Sequence, residues 1–116
     1  MTGLDVVFTR DGTLAILRLA GEARQEVIHH LHDQTKRALA EGARNLVLDC
    51  SRLAFMDSAS TGALIRLEKD LAEQGGRLVL CAVPRVIHRL FDAAGLLGRF
   101  RVAADEAQGR FLALAE

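Results

Sequence analysis

Residues 45–64 read NLVLDCSRLAFMDSASTGAL, and this stretch decides the fold of the chain. It opens with an apolar run that predicts a buried strand over 45–49. It then reaches the polar segment 57–61, DSAST, which carries one carboxylate and three hydroxyls. Leucines follow at three- and four-residue intervals, and this spacing predicts a helix over about 60–74. The stretch is therefore predicted to form a strand, a polar loop and a helix.

The polar segment supplies the residue types found at helix N-termini. The first N–H groups of a helix have no partner within the helix, and Asp57, Ser58, Ser60 and Thr61 are side chains that accept their hydrogen bonds. The same N–H groups and the helix dipole favour an anion, including a phosphate carried by one of these hydroxyls. Capping alone and a phosphorylation site are both consistent with this pattern.

Composition limits the classes of function. The 116 residues suit a single domain spanning 1–116, and 50% of them are hydrophobic, which excludes general disorder. Lys and Arg together number 15, as do Asp and Glu, so the formal net charge is zero. A neutral chain has no long-range attraction for nucleic acid or for an acidic membrane, so neither is expected as a partner.

The apolar segments are short. None approaches the roughly 20 residues that span a bilayer, and residues 1–5 do not begin a signal peptide. A cytoplasmic location without membrane insertion is therefore expected.

Two cysteines and a histidine pair raise the question of a metal. Cys50 and Cys81 lie in or beside apolar strands and are predicted to be buried, reduced thiols, with a disulfide left open if the strands are neighbours. His29, His32 and Asp33 share one helix surface, but no second cluster completes a ligand set. We therefore predict neither a metal nor a cofactor.

The order of elements predicts an α/β fold. Asp11-Gly12 between two strand-like runs indicates an N-terminal hairpin. Strands and helices then alternate, which predicts a mixed, mostly parallel sheet with about four helices. The predicted strands are 5–9, 13–19, 45–49 and 77–83, with a last one within 96–102; the predicted helices are 23–41, 60–74, 84–95 and 103–116.

Two segments resemble a known family. NLVLDCSRLAFMDSASTGALIRL (45–67) and EQGGRLVLCAVPRVIHRLFDAAGL (73–96) resemble the STAS domains of bacterial anti-sigma factor antagonists. The shared features are an apolar strand, a phenylalanine, Asp-Ser, an Ala-Leu helix, a Gly-Gly turn, a second apolar strand and an Arg-Leu-Phe helix ending in Gly-Leu. The similarity includes the Gly21-Glu22 turn and extends over nearly the full length.

The resemblance implies a phosphorylation-controlled binding protein rather than an enzyme. It implies that an anti-sigma factor, a serine protein kinase, is the partner and phosphorylates Ser58. The unphosphorylated protein would bind this kinase and release a sigma factor for transcription, for example in a stress response. The implied partner-binding residues are Asp57, Ser58, Ala59, Ser60, Thr61 and Glu22.

One departure from the family pattern affects the proposed site. The family usually reads Asp-Ser-Ser/Thr-Gly-Leu, whereas residues 57–61 read Asp-Ser-Ala-Ser-Thr. Ser60 replaces the glycine and is a second candidate acceptor of the phosphate.

Other functions stay open or are disfavoured. A subunit of a stress-signalling complex or of a lipid-transport ATPase is an alternative, as is a small-ligand or nucleotide sensor. An acyl-transfer enzyme is disfavoured because the chain lacks a Gly-x-Ser-x-Gly turn. Nucleotide binding by the polar loop has only weak support, because the chain lacks a Gly-x-x-x-x-Gly-Lys phosphate cradle. The oligomeric state is expected to be a monomer or a weak dimer.

Overall fold

The computed structural model describes residues 3–115 of the chain. Five strands form one sheet in the order β1-β2-β3-β4-β5. β1 pairs with β2 antiparallel, and every later pair is parallel, as the sequence predicts. The elements are β1 (Leu4–Asp11), β2 (Leu14–Ala23), α1 (His29–Ala40), β3 (Asn45–Met56), α2 (Ser58–Glu73), β4 (Leu78–Cys81), α3 (Arg85–Ala93), β5 (Arg101–Ala103) and α4 (Glu106–Leu114).

Different helices pack on the two faces of the sheet. Leu46 and Leu48 on β3 point to the side where α1, α2 and α3 pack through buried residues such as Leu31, Leu64 and Phe91. Val47 points to the opposite face and joins a smaller buried cluster that includes Ala113 of α4. Because side chains alternate along a strand, a central strand that is covered on both sides must be apolar throughout, as 46–48 is.

The two cysteines lie on opposite faces of the sheet. Cys50 belongs to the larger cluster and Cys81 to the smaller one, and both thiols are free. The prediction of buried, reduced thiols is confirmed, and the disulfide that the sequence left open does not form. Burial raises the pKa of both thiols to about 12, so they stay protonated and unreactive at neutral pH.

The largest differences from the predicted elements occur next to the polar segment. β3 continues to Met56 instead of ending at Asp49, and it pairs with an extension of β2 as far as Ala23. The first helix therefore begins at His29, after a turn over residues 25–28, and not at Ala23. α2 begins at Ser58, two residues before its predicted start.

The remaining boundaries are close to prediction. β4 ends at Cys81 because Ala82 has a positive φ of 53°, which a strand cannot accommodate. α3 follows Pro84 as its N-cap, and β5 is a short strand of three residues. The last helix is shorter than the predicted 103–116: Ala103 belongs to β5, Asp105 caps the helix, and the helix runs over Glu106–Leu114. Glu116 lies outside the described residues. No helix between residues 3 and 115 combines the length and apolar character that crossing a bilayer requires.

Candidate functional site

Asp57 joins two loops at the carboxyl edge of the sheet. It is the N-cap of α2, with extended backbone angles (φ −88°, ψ 174°), and its Oδ1 accepts a hydrogen bond from the Ser60 N–H at 2.8 Å. Its Oδ2 accepts a second one from the Gln25 N–H, also at 2.8 Å. One carboxylate thus holds the start of α2 against the segment that follows β2.

The surroundings of Asp57 favour its charged form. Burial opposes ionisation, but the N–H donors of Ser60 and Gln25 and the positive charge of Arg24 outweigh it and hold the pKa of Asp57 below its usual value. The site therefore carries a negative charge at neutral pH before any modification.

Replacement of Asp57 tests this role. Asp57→Asn is expected to lower the free energy of unfolding by about 1 kcal/mol at pH 7, because an amide accepts only one of the two N–H bonds. Since the pKa of Asp57 is depressed in the folded state, its stabilising effect is present above the unfolded-state pKa and is lost as the pH falls through the folded-state value. Urea denaturation at pH 7 and pH 3 checks this.

The matched control is Asp33→Asn, a change of an exposed carboxylate on α1. It is expected to alter stability little at either pH. If the deficit of Asp57→Asn were the same at pH 3 as at pH 7, the ionised carboxylate would not be the stabilising group.

Ser58 is the first residue of α2, and its side chain is exposed. Ala59 beside it is also exposed. Because Asp57 provides the cap, the Ser58 hydroxyl is not required for it. An exposed hydroxyl at the N-terminus of a 16-residue helix is placed where added negative charge is stabilised by the helix N–H groups and dipole.

The other two hydroxyls of the segment are buried. Thr61 is 6% exposed, and its hydroxyl donates to the Asp57 carbonyl oxygen at 3.0 Å. Ser60 is 0% exposed, and its hydroxyl has no hydrogen-bond partner within the described part of the chain. Of the three hydroxyls, only that of Ser58 faces solvent.

The unpartnered Ser60 hydroxyl has a measurable consequence. Ser60→Ala is expected to raise the free energy of unfolding by about 1 kcal/mol, because it removes a buried polar group that makes no hydrogen bond while keeping the N–H that Asp57 accepts. Thr61→Val is the control: it removes a satisfied hydroxyl and is expected to destabilise by about 1 kcal/mol. Chemical denaturation of both variants checks this, and a loss of stability in Ser60→Ala would contradict it.

Glu22 lies beside the polar segment, since it stands opposite Phe55 in the register of β2 and β3. Its carboxylate pairs with Arg24 at 2.7 Å, and the Arg24 guanidinium lies 4.3 Å from the centre of the Phe55 ring. Phe55 is 37% exposed. We call the group formed by Glu22, Arg24, Phe55, Asp57, Ser58 and Ala59 the switch surface; its three charged residues are half-buried and the other three are exposed.

Three residues of this region were not among the sequence-predicted site residues. The sequence could have identified Phe55 as a site residue, because it precedes Met-Asp-Ser in the stretch that carries the family resemblance. No sequence feature identifies Arg24 and Gln25 as site residues, because their approach to Asp57 depends on the extension of β2 along β3.

The histidines lie outside the switch surface. His30 Nδ1 lies 2.7 Å from the Leu4 carbonyl oxygen. Across residues 3–115, no three or more His, Cys, Asp and Glu side chains are arranged to hold a metal ion.

Comparison with known proteins assigns the family. The model of the STAS domain family matches residues 5–109. The chain belongs to the STAS domain family. This STAS domain is 33% identical over 86 residues to the anti-sigma F factor antagonist of Paenibacillus polymyxa, covering 70% of each protein.

Solved structures share the fold. The unphosphorylated form of the anti-sigma factor antagonist SpoIIAA has a TM-score of 0.77 at 20% identity, covering 95% of both chains. The phosphorylated form of SpoIIAA, a Bacillus cell fate determinant, has a TM-score of 0.70 at 20% identity, covering 93% of this chain and 96% of that one. The mixed five-stranded sheet with its N-terminal hairpin and four helices is therefore the SpoIIAA-like fold.

Proposed function

We propose that this STAS domain is an anti-sigma factor antagonist that phosphorylation of Ser58 switches off. Its partner is an anti-sigma factor with serine kinase activity in the cytoplasm. In this proposal the unmodified domain binds the anti-sigma factor, a sigma factor is released, and phosphate transfer to Ser58 ends the interaction. The observation that carries the proposal is the exposure of Ser58 at the start of α2, next to two buried hydroxyls, in a chain related to an anti-sigma factor antagonist.

The switch surface has the composition of a docking site. Phe55 offers an exposed aromatic ring, and aromatic residues are enriched in the cores of protein interfaces. The charged pair of Glu22 and Arg24 borders that ring. Charged groups at the rim of such a surface select the partner and orient it.

Ser60 and Thr61 serve this surface indirectly. Their side chains are buried, so we assign them to holding the helix start in place rather than to direct contact with a partner. The Ser60 N–H fixes the Asp57 carboxylate, and the Thr61 hydroxyl binds the Asp57 carbonyl.

Electrostatics explains how a phosphate on Ser58 acts as a switch. It adds about −1.5 to −2 charges at neutral pH. The N-terminus of α2 accommodates this charge, so the fold persists. A partner docked over Ser58 must desolvate the same charge next to Asp57, and a cost of a few kcal/mol weakens binding by about a hundredfold.

Binding measurements with charge variants test the proposal. A suitable partner is an anti-sigma factor kinase, and a gene for a small ATP-binding kinase next to the gene for this chain would identify the first candidate to test. We expect Ser58→Asp to weaken the affinity for this kinase at least tenfold by titration calorimetry, since one carboxylate carries less charge than a phosphate. Ser51→Asp, which adds the same charge at an exposed serine of β3, should bind like the unmodified chain. Equal affinities for all three proteins would refute the proposal.

A further inference from the structure

A groove of about 570 Å³ lies between α1 and α2. It exists because α1 packs over β1 and β2 whereas α2 packs over β3 and β4, which leaves a gap between the two helices. Its size falls in the range of small-molecule sites in proteins. Six apolar side chains, from both helices and from the residue that precedes α1, line it: Ile28, Leu31, Leu39, Ala63, Leu67 and Leu71.

One buried polar group among the lining residues is unsatisfied. Thr35 lines the groove and is 3% exposed, and no described residue forms a hydrogen bond with its hydroxyl. Buried hydroxyls in folded proteins nearly always have a hydrogen-bond partner, because a buried hydroxyl without one costs free energy. A ligand group that accepts a hydrogen bond from Thr35 would remove that cost.

The charged residues that line the groove favour an anion. Lys36 and Arg66 are the cations, and Asp70 is the one carboxylate among the lining residues. Within residues 3–115, neither Lys36 nor Arg66 forms an ion pair. His29 and His32 also line the groove.

We propose that this groove binds a small amphipathic carboxylate with an alkyl or aromatic body. The body lies against the leucines, the carboxylate binds Lys36 and Arg66, and Thr35 donates a hydrogen bond to it. This combination of an apolar lining with a few polar groups is typical of ligand sites. The proposal does not depend on the switch surface, although Gln25 lines the groove and its N–H binds the Asp57 carboxylate.

Titration of the full chain with sodium decanoate, followed by two-dimensional NMR, tests the site. We expect saturable binding to one site, with shifts concentrated at Leu31, Thr35 and Leu67. Arg66→Gln and Lys36→Gln should each weaken binding about tenfold through loss of one charge-assisted contact, and Thr35→Val about fivefold. Decyltrimethylammonium, which has the same alkyl chain and the opposite charge, should not bind.

The matched control is Lys69→Gln. Lys69 is an exposed cation on α2 that does not line the groove, so decanoate affinity should not change. Three results would overturn the proposal: no saturable binding, equal binding of the cationic analogue, or groove shifts that arise only when the anti-sigma factor is added. The last result would leave the proposed function intact and make the groove part of its partner surface.

Discussion

Gly76→Ala is expected to lower the free energy of unfolding by about 3 kcal/mol or more and the melting temperature by about 10 °C. A Cβ at this position would collide with the Arg44 carbonyl oxygen. The backbone there has little freedom to move, because the Arg44 N–H donates to Thr13 and the Leu46 N–H donates to the Arg77 carbonyl. Thermal and urea denaturation measure the loss.

The control for this prediction is Gly98→Ala. A Cβ at Gly98 would have no other atom within 4 Å, so a change within about 0.5 kcal/mol is expected. Similar stabilities for the two variants would show that the close approach of Gly76 to Arg44 is not required by the fold.

Phosphorylation is expected to depend entirely on Ser58. When the chain is incubated with its kinase and ATP, intact-mass measurement should show one added phosphate, and Ser58→Ala should show none. The reason is accessibility: Ser58 is exposed, whereas Ser60 is fully buried and Thr61 nearly so. In the folded domain, a kinase can therefore reach the hydroxyl of Ser58 but not those of Ser60 and Thr61.

Ser60→Ala is the matched control, because it removes a hydroxyl two residues away without altering the cap of α2. It should accept phosphate as well as the unmodified chain. Phosphate retained in Ser58→Ala and lost in Ser60→Ala would move the acceptor to Ser60 and would require that α2 open at its start.

The sequence was sufficient to predict the fold class and the order of elements. Alternation of apolar strands and periodic helices, with Asp11-Gly12 at the hairpin, predicted the antiparallel first pair and the parallel pairs that follow it. The order of the strands within the sheet was not predicted. The helix over 23–41 was placed too early because Val27 and Ile28 continue the apolar spacing of α1 through the turn that precedes it. Local periodicity contains no information on the pairing that extends β2 to Ala23.

The candidate site was only partly predictable. The strand–loop–helix pattern of one continuous segment placed four capping candidates at the start of α2. The structure alone shows that Asp57 is the cap and that Ser58 is exposed. The contacts of Asp57 with Gln25 and of Arg24 with Phe55 join segments about 30 residues apart in the sequence. These contacts depend on strand register. The position of Glu22 beside Phe55 depends on it too, and Glu22 was predicted as a site residue only from the family resemblance.

The most direct test compares phosphorylated and unphosphorylated chains in two assays on the same samples: affinity for the anti-sigma factor and thermal unfolding. A phosphate on Ser58 is expected to weaken binding by about a hundredfold while the melting temperature stays within a few degrees. Unchanged affinity, or loss of binding together with collapse of the melting transition, would contradict a switch that acts on the partner and not on the fold.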